Sequence, residues 1–188
     1  NRTEKVTHTT ESEPSSTTPE ETLEQAYQQL KDEVANELLH LVKGNTPEFF
    51  EKLVVHLIVA MGYGGSVKEA GKATRKTADE GIDGVIKEDR LGLDAIYLQA
   101  KRWEVVVGRP EIQKFVGALH GQRAKKGVFI TTSRFSKEAL DYVGQIDPKV
   151  VLIDGTDLVQ LMIDHGVGVS SAAVYEVKKV DTDFFIED

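Results

Sequence analysis

The chain predicts an α/β domain with an αβββαβ core, a mixed central sheet flanked by helices on both faces. Three observations predict it. The β-prone runs Gly84-Val85-Ile86 and Ala95-Ile96-Tyr97-Leu98 flank a polar stretch containing Leu91-Gly92, the pattern of an antiparallel hairpin. Val128-Phe129-Ile130-Thr131 and Val150-Val151-Leu152-Ile153 are continuous apolar runs, as strands covered on both faces are. Segments with helical spacing of apolar residues alternate with the later strands, which puts helices against the sheet.

Residues 1–20 are rich in Ser, Thr, Glu and Pro and lack apolar periodicity, so they read as a disordered acidic linker. From Thr22 onward Leu23, Ala26, Tyr27, Leu30, Val34, Leu38 and Leu41 recur at helical spacing and stop at Lys43-Gly44. This amphipathic helix, residues 21–45, leads into a domain of residues 46–188. It could pack on the domain, mediate dimerisation or bridge to upstream sequence, and packing is the plainest expectation. Thr46-Pro47-Glu48 supplies an N-cap and a first-turn proline for the next helix, whose core stripe is Phe50, Val54, Leu57, Ile58 and Met61. A first strand is expected over residues 64–69, followed by the hairpin. Arg109-Pro110-Glu111 opens a helix to about residue 122 with Ile112, Phe115, Val116 and Leu119 inward. Ser136 caps a short helix to about residue 145, and a last helix covers residues 155–165. Weak alternation near the C-terminus suggests a short edge strand at residues 175–177. The sequence has no internal repeats.

Composition narrows the function. With 188 residues and 40% apolar content the chain can build a real core, and with no cysteine it excludes disulfides and thiolate zinc sites. No apolar run approaches the length that spans a bilayer, which fits a soluble cytoplasmic protein with no membrane partner. The five histidines show no metal-ligand spacing, and Gly62-Tyr63-Gly64-Gly65 lacks the lysine of a phosphate-binding loop. The net charge of −8 is unevenly spread: residues 1–46 hold nine acids and four bases, whereas residues 68–126 hold thirteen bases and nine acids. A modest basic surface is therefore expected on the segment that carries the chemistry, enough for weak unaided DNA binding.

That chemistry centres on Gly81-Ile82-Asp83 and Gln99-Ala100-Lys101. Pairing the hairpin about Leu91 sets Asp83 opposite roughly Gln99, and alternation puts Gln99 and Lys101 on one face with Ala100 on the other. Mg²⁺ takes hard oxygen ligands and often binds through one or two carboxylates plus a substrate phosphate. Asp83 can be the charged ligand, with the Gln99 amide oxygen and the Ala100 backbone carbonyl as neutral ones. Lys101 would orient or help deprotonate the attacking water and stabilise charge on the phosphorus centre, while the metal lowers the pKa of its water. Taken singly, Gly-x-Asp before a strand is commonly a turn and Gln-x-Lys at a strand end a solvated terminus. Placed together on one hairpin end they favour the site. By spacing alone Glu51 is a first-turn acid complementing its helix dipole.

At these residues the chain resembles the catalytic domain of the Mrr-type restriction endonucleases, the branch of the PD-(D/E)xK nucleases with Gln in the last motif. The resemblance covers residues 46–188 through Phe50-Glu51-Lys52-Leu53-Val54, Gly81-Ile82-Asp83-Gly84, Gln99-Ala100-Lys101-Arg102-Trp103, Val107-Gly108-Arg109-Pro110-Glu111, Gly127-Val128-Phe129-Ile130-Thr131-Thr132-Ser133 and Leu152-Ile153-Asp154-Gly155. It implies a restriction-endonuclease-like core and Mg²⁺-dependent hydrolysis of duplex DNA, with Mn²⁺ as a substitute and methylated sequences as a frequent target. It also implies Asp83 and Gln99 as metal ligands, Lys101 as the catalytic lysine and Glu51 as the helix-borne acid. One departure is the stretch Arg75-Lys76-Thr77-Ala78-Asp79-Glu80, which stands where family members carry a glycine-rich run. Its acids could repel a phosphate or raise a neighbouring carboxylate's pKa, and Arg75 and Lys76 could contact the DNA backbone.

Further DNA contacts are expected from Arg102 and Arg109 around Trp103, and from Gln113 at the site edge. The alternatives are a half-buried tryptophan anchoring its loop and a solvated helix position. Thr131, Thr132 and Ser133 could meet DNA or simply end a strand. The expected protein is a homodimer or higher homo-oligomer, located in the bacterial cytoplasm with the nucleoid. The absence of an initial Met suggests a fragment, and the resemblance implies a DNA-recognition domain upstream. A junction-resolving or repair nuclease, and a DNA-binding or stress-signalling module with weakened catalysis, are the competing readings.

Overall fold

Alternation of Val85, Ile86 and Leu98 with their neighbours builds the hairpin: β1 (Gly84–Lys87) runs antiparallel to β2 (Ala95–Lys101), pairing Gly84 with Leu98 and Lys87 with Ala95. One step beyond that register, Asp83 lies opposite Gln99, and the Asp83 N–H donates to the Leu98 carbonyl at 2.8 Å. The computed structural model of the chain describes residues 17–64, 81–88 and 93–186. The strand expected at residues 64–69 (but for Gly64), the hairpin turn at 89–92 and the Arg75 to Glu80 loop lie outside the described residues.

The two apolar runs form the remaining described strands, β3 (Lys126–Thr131) and β4 (Lys149–Ile153), both parallel to their neighbours. The sheet order is β1-β2-β3-β4. Helices cover both faces, so the mixed α/β architecture expected from sequence is the one found. On one face Ile86, Leu98, Ala100, Ile130 and Ile153 are buried with residues of α1 (Pro19–Gly44), α2 (Pro47–Ala60) and α5 (Gly155–Asp164). On the other, Phe129 and Val150 are buried with residues of α3 (Arg109–Gly121) and α4 (Lys137–Val143). Phe115 of α3 meets Phe129 edge to face at 5.7 Å, and a Cβ on Gly127 would come within 2.8 Å of Phe115, so only glycine admits this approach.

Two expectations need correction. The first helix starts at Pro19, inside the segment read as linker. The Thr18 hydroxyl accepts from the Glu21 N–H while the Glu21 carboxylate accepts from the Thr18 N–H, and this reciprocal cap with Pro19 in the first turn outweighs the polar composition. The helix packs on the domain only through its later half, where Ala35, Leu38 and Val42 are buried and Lys31 pairs with Asp164 of α5 at 3.1 Å. Residues 175–177 form no strand: they are exposed and pair with no strand among the described residues, and alternation alone cannot make a strand without a ladder. Among the described residues no helix is long and apolar enough to cross a membrane.

Candidate active site at the open end of the hairpin

The site forms where β1 begins and β2 ends. Gly81 has φ +80°, a left-handed conformation that suits glycine, and it turns the chain so that Asp83 enters beside β2. The Asp83 carboxylate accepts the Ala100 N–H at 2.8 Å and a hydrogen bond from the Gln99 side-chain amide. Since the N–H and C=O of one strand residue point to the same edge, the Ala100 carbonyl is turned toward the edge where Asp83 sits. Gln99 is buried, at 2% exposure, whereas Asp83 and Lys101 are half-buried. The structure thus brings Asp83, Gln99, Ala100 and Lys101 together as the hairpin spacing predicts.

Glu51 joins them electrostatically. It lies in the second turn of α2, and the first-turn acid is Glu48, whose carboxyl is held below the usual range by its own backbone N–H and Thr46. The dipole-capping role read for Glu51 therefore belongs to Glu48. Glu51 is exposed, and partial desolvation pushes its carboxyl up, the Asp83 charge pushes it further, and Lys101 opposes both. Burial also raises Asp83, against the Ala100 N–H and the Lys101 charge. Glu51 thus lies in the field of both Asp83 and Lys101, and Asp83 in that of Lys101. Among the described residues no three His, Cys, Asp or Glu side chains cluster as a ready-made cage.

The donors present suit a hard divalent ion: a carboxylate, a backbone carbonyl and a side-chain amide, all supplying oxygen. Gln99 now turns its amide nitrogen toward Asp83, so its oxygen would serve after rotation of the amide.

The DNA-contact candidates separate. Arg102 is half-buried, and its Nη1 donates to the Lys43 carbonyl at 2.7 Å, satisfying one of the open carbonyls at the end of α1. Its Nε is buried with no hydrogen-bond partner among the described residues. Trp103 packs half-buried against the α3 side of the core, the anchoring alternative. Arg109 is exposed, with its guanidinium 4.9 Å from the centre of the Tyr142 ring, and Gln113 is exposed on α3. Arg75 and Lys76 lie outside the described residues.

Thr131, Thr132 and Ser133 are buried, and their hydroxyls donate to the carbonyls of Lys101, Trp103 and Glu104 at 2.8, 2.9 and 3.1 Å. They are turned into the protein rather than toward DNA. Three successive hydroxyl residues closing a buried strand were the available signal, because buried hydroxyls need acceptors and strand ends offer open carbonyls. Sequence reasoning saw the run without seeing that its acceptors belong to the Lys101 segment.

Residues 42–162 match the Mrr_cat family of restriction endonucleases. The type IV methyl-directed restriction enzyme EcoKMrr of Escherichia coli (strain K12) is 47% identical over 167 residues, covering 89% of this chain and 54% of that protein. The chain thus spans about half the length of this curated relative. The DNA modification-dependent restriction endonuclease AspBHI shares the fold, with a TM-score of 0.53 at 20% identity over 71% of this chain and 36% of that one. The family match runs from the end of α1 to α5 and includes Glu51, Asp83, Gln99 and Lys101, so the residues gathered at the open end of the hairpin sit inside it: the chain belongs to the Mrr-type restriction endonuclease catalytic-domain family.

Proposed function

We propose that this chain is a Mg²⁺-dependent endonuclease domain that hydrolyses phosphodiester bonds of duplex DNA as the cleavage module of a methyl-directed, type IV-like restriction enzyme. The observation that carries the reading is the meeting of Asp83, Gln99 and Lys101 at the open hairpin end, with Glu51 in the same electrostatic field. Methyl direction is part of the name of EcoKMrr and comes to this chain as part of the proposal.

Asp83, the Ala100 carbonyl and a rotated Gln99 amide would hold the ion, with Glu51 adding negative charge nearby. When bound there, Mg²⁺ supplies Lewis-acid polarisation of the scissile phosphate and makes a water easier to ionise. The chain's own residues do the rest. Lys101 presents its ammonium where negative charge builds on the non-bridging phosphate oxygens, and it orients the attacking water. The new bond is between water oxygen and phosphorus, and the bond that breaks is from phosphorus to the leaving sugar oxygen, so no protein nucleophile is consumed. Arg109 and Gln113, exposed on α3, contribute DNA contacts. Two copies of this one-site domain would cut both strands together, which we assign to a homodimer or higher homo-oligomer on the duplex in the bacterial cytoplasm.

The test is cleavage of methylated and unmethylated supercoiled plasmid by the intact protein across a Mg²⁺ series, beside its Lys101→Ala variant. The expected result is Mg²⁺-dependent cleavage of methylated plasmid that the variant loses. Undiminished cleavage by the variant, or DNA binding without cleavage at every Mg²⁺ concentration, overturns the reading.

A further inference from the structure

We propose that Thr131 is a positioning residue for Lys101, acting through the Lys101 backbone carbonyl as the first rung of a hydroxyl ladder. This rests on the reading of Lys101 as the residue that works on the phosphate. Lys101 ends its strand: the β2–β3 pairing closes with Lys101 opposite Thr131, and beyond it the chain leaves the sheet into an exposed loop through Glu104, Val105 and Val106. A strand terminus next to such a loop frays unless its last carbonyl is fixed.

That carbonyl is fixed three times, once by the Trp103 N–H of its own strand end at 3.0 Å and twice from the neighbouring segment. It accepts the Thr131 hydroxyl at 2.8 Å and the Thr132 N–H at 3.4 Å. The next two rungs, Thr132 to Trp103 and Ser133 to Glu104, hold the loop that follows. The ladder is itself braced. The Ser133 N–H donates to the Thr131 hydroxyl oxygen at 3.2 Å, which sets that hydroxyl to donate toward Lys101. Behind it the Gly155 N–H donates to the Ser133 carbonyl at 2.8 Å. A Cβ on Gly155 would fall 2.5 Å from the Thr132 carbonyl oxygen, so the start of α5 lies against this segment with no room for a side chain. The triplet is therefore wedged between α5 and the Lys101 segment, and its hydroxyls transmit the rigidity of the core to the end of β2.

The rungs differ in what they hold, and this makes the proposal separable from a stabilising role. Thr131 holds Lys101, whereas Thr132 uses its hydroxyl on Trp103, two residues further on. The experiment compares Thr131→Val, Thr131→Ser, Thr132→Val and Lys101→Ala in the intact protein. Single-turnover cleavage of methylated plasmid with Mg²⁺, duplex affinity without Mg²⁺, and Tm are read for each. Thr131→Val is expected to lose roughly tenfold or more in single-turnover rate with affinity unchanged, because small misplacement of a reacting group is costly. Thr131→Ser, which restores the hydroxyl, should recover the rate to within about twofold. Thr132→Val should lower Tm as much as Thr131→Val yet keep its rate within about twofold of wild type. Equal rate losses in both Val variants, or none in Thr131→Val while Lys101→Ala is inactive, overturn the positioning role alone. Full activity in Lys101→Ala overturns the functional reading and the positioning role with it.

Discussion

The two ends of the β1–β2 hairpin carry the same kinds of side chain and use them in opposite ways. At the turn end Lys126 of β3 bridges Glu88 and Asp94, the latter at 3.0 Å, and these partners raise the pKa of the lysine. At the open end Lys101 is in none of the ion pairs among the described residues, while burial of Asp83, and partial desolvation of Glu51 beside the Asp83 charge, leave both harder to ionise than ordinary carboxyls. Among the described residues the turn end pairs these charges and tethers strands. The open end leaves Lys101 outside those ion pairs and beside carboxyls that are harder to ionise, and that is where we propose function lies.

The sharpest way to break this comparison is to neutralise Asp83. Asp83→Asn should lower cleavage by about a hundredfold or more, since it removes the proposed charged ligand placed directly against β2. Its effect on stability should have the opposite sign. Because the folded-state pKa is raised, the stability Asp83 contributes is fully present below the ordinary carboxylate range and is lost as pH rises through the raised value. The Tm of the variant relative to wild type should therefore rise with pH as the wild-type carboxyl ionises through that raised value. A melting point several degrees below wild type at pH 7 would show that Asp83 is structural.

The same shift predicts how protons and metal compete. At subsaturating Mg²⁺, cleavage should increase with pH through a midpoint above the usual carboxylate range, and the midpoint should fall as Mg²⁺ is raised. A midpoint independent of Mg²⁺ would separate the carboxyls from the ion. A smaller effect is expected at the approach to the site. Gly81→Ala forces an L-residue to φ +80° and should cost about 1–2 kcal/mol in unfolding free energy, with a modest fall in cleavage. The added Cβ would stand 3.5 Å from the Gln99 side-chain oxygen, an ordinary contact, so backbone strain is the term being read.

Much of this was legible in the sequence because it depends on period and register. The midpoint of the polar stretch between two β-prone runs put Asp83 opposite Gln99, and the strand period put Lys101 on the Gln99 face. The buried strands at Val128 and Val150 announced themselves as continuous apolar runs. What escaped was the tertiary use of polar atoms. Arg102 adjoins Lys101 in sequence and reads as a phosphate contact, yet it reaches across to the Lys43 carbonyl at the end of α1. The hydroxyls of Thr131 to Ser133 take acceptors 29 or 30 residues back in the chain, which no local pattern encodes. The start of α1 was missed for a local reason: Thr18, Pro19 and Glu21 form a cap inside a stretch whose average composition reads as disordered.

The measurement that bears most directly on the contrast between the hairpin ends is cleavage by Lys101→Ala and Lys126→Ala under one Mg²⁺ condition, with Tm recorded for both. Lys101→Ala should lose cleavage by about a hundredfold or more while melting near wild type, and Lys126→Ala should melt lower and cleave within about twofold of wild type. Equal cleavage by the two variants, or the larger loss at Lys126, would contradict the assignment of function to the open end.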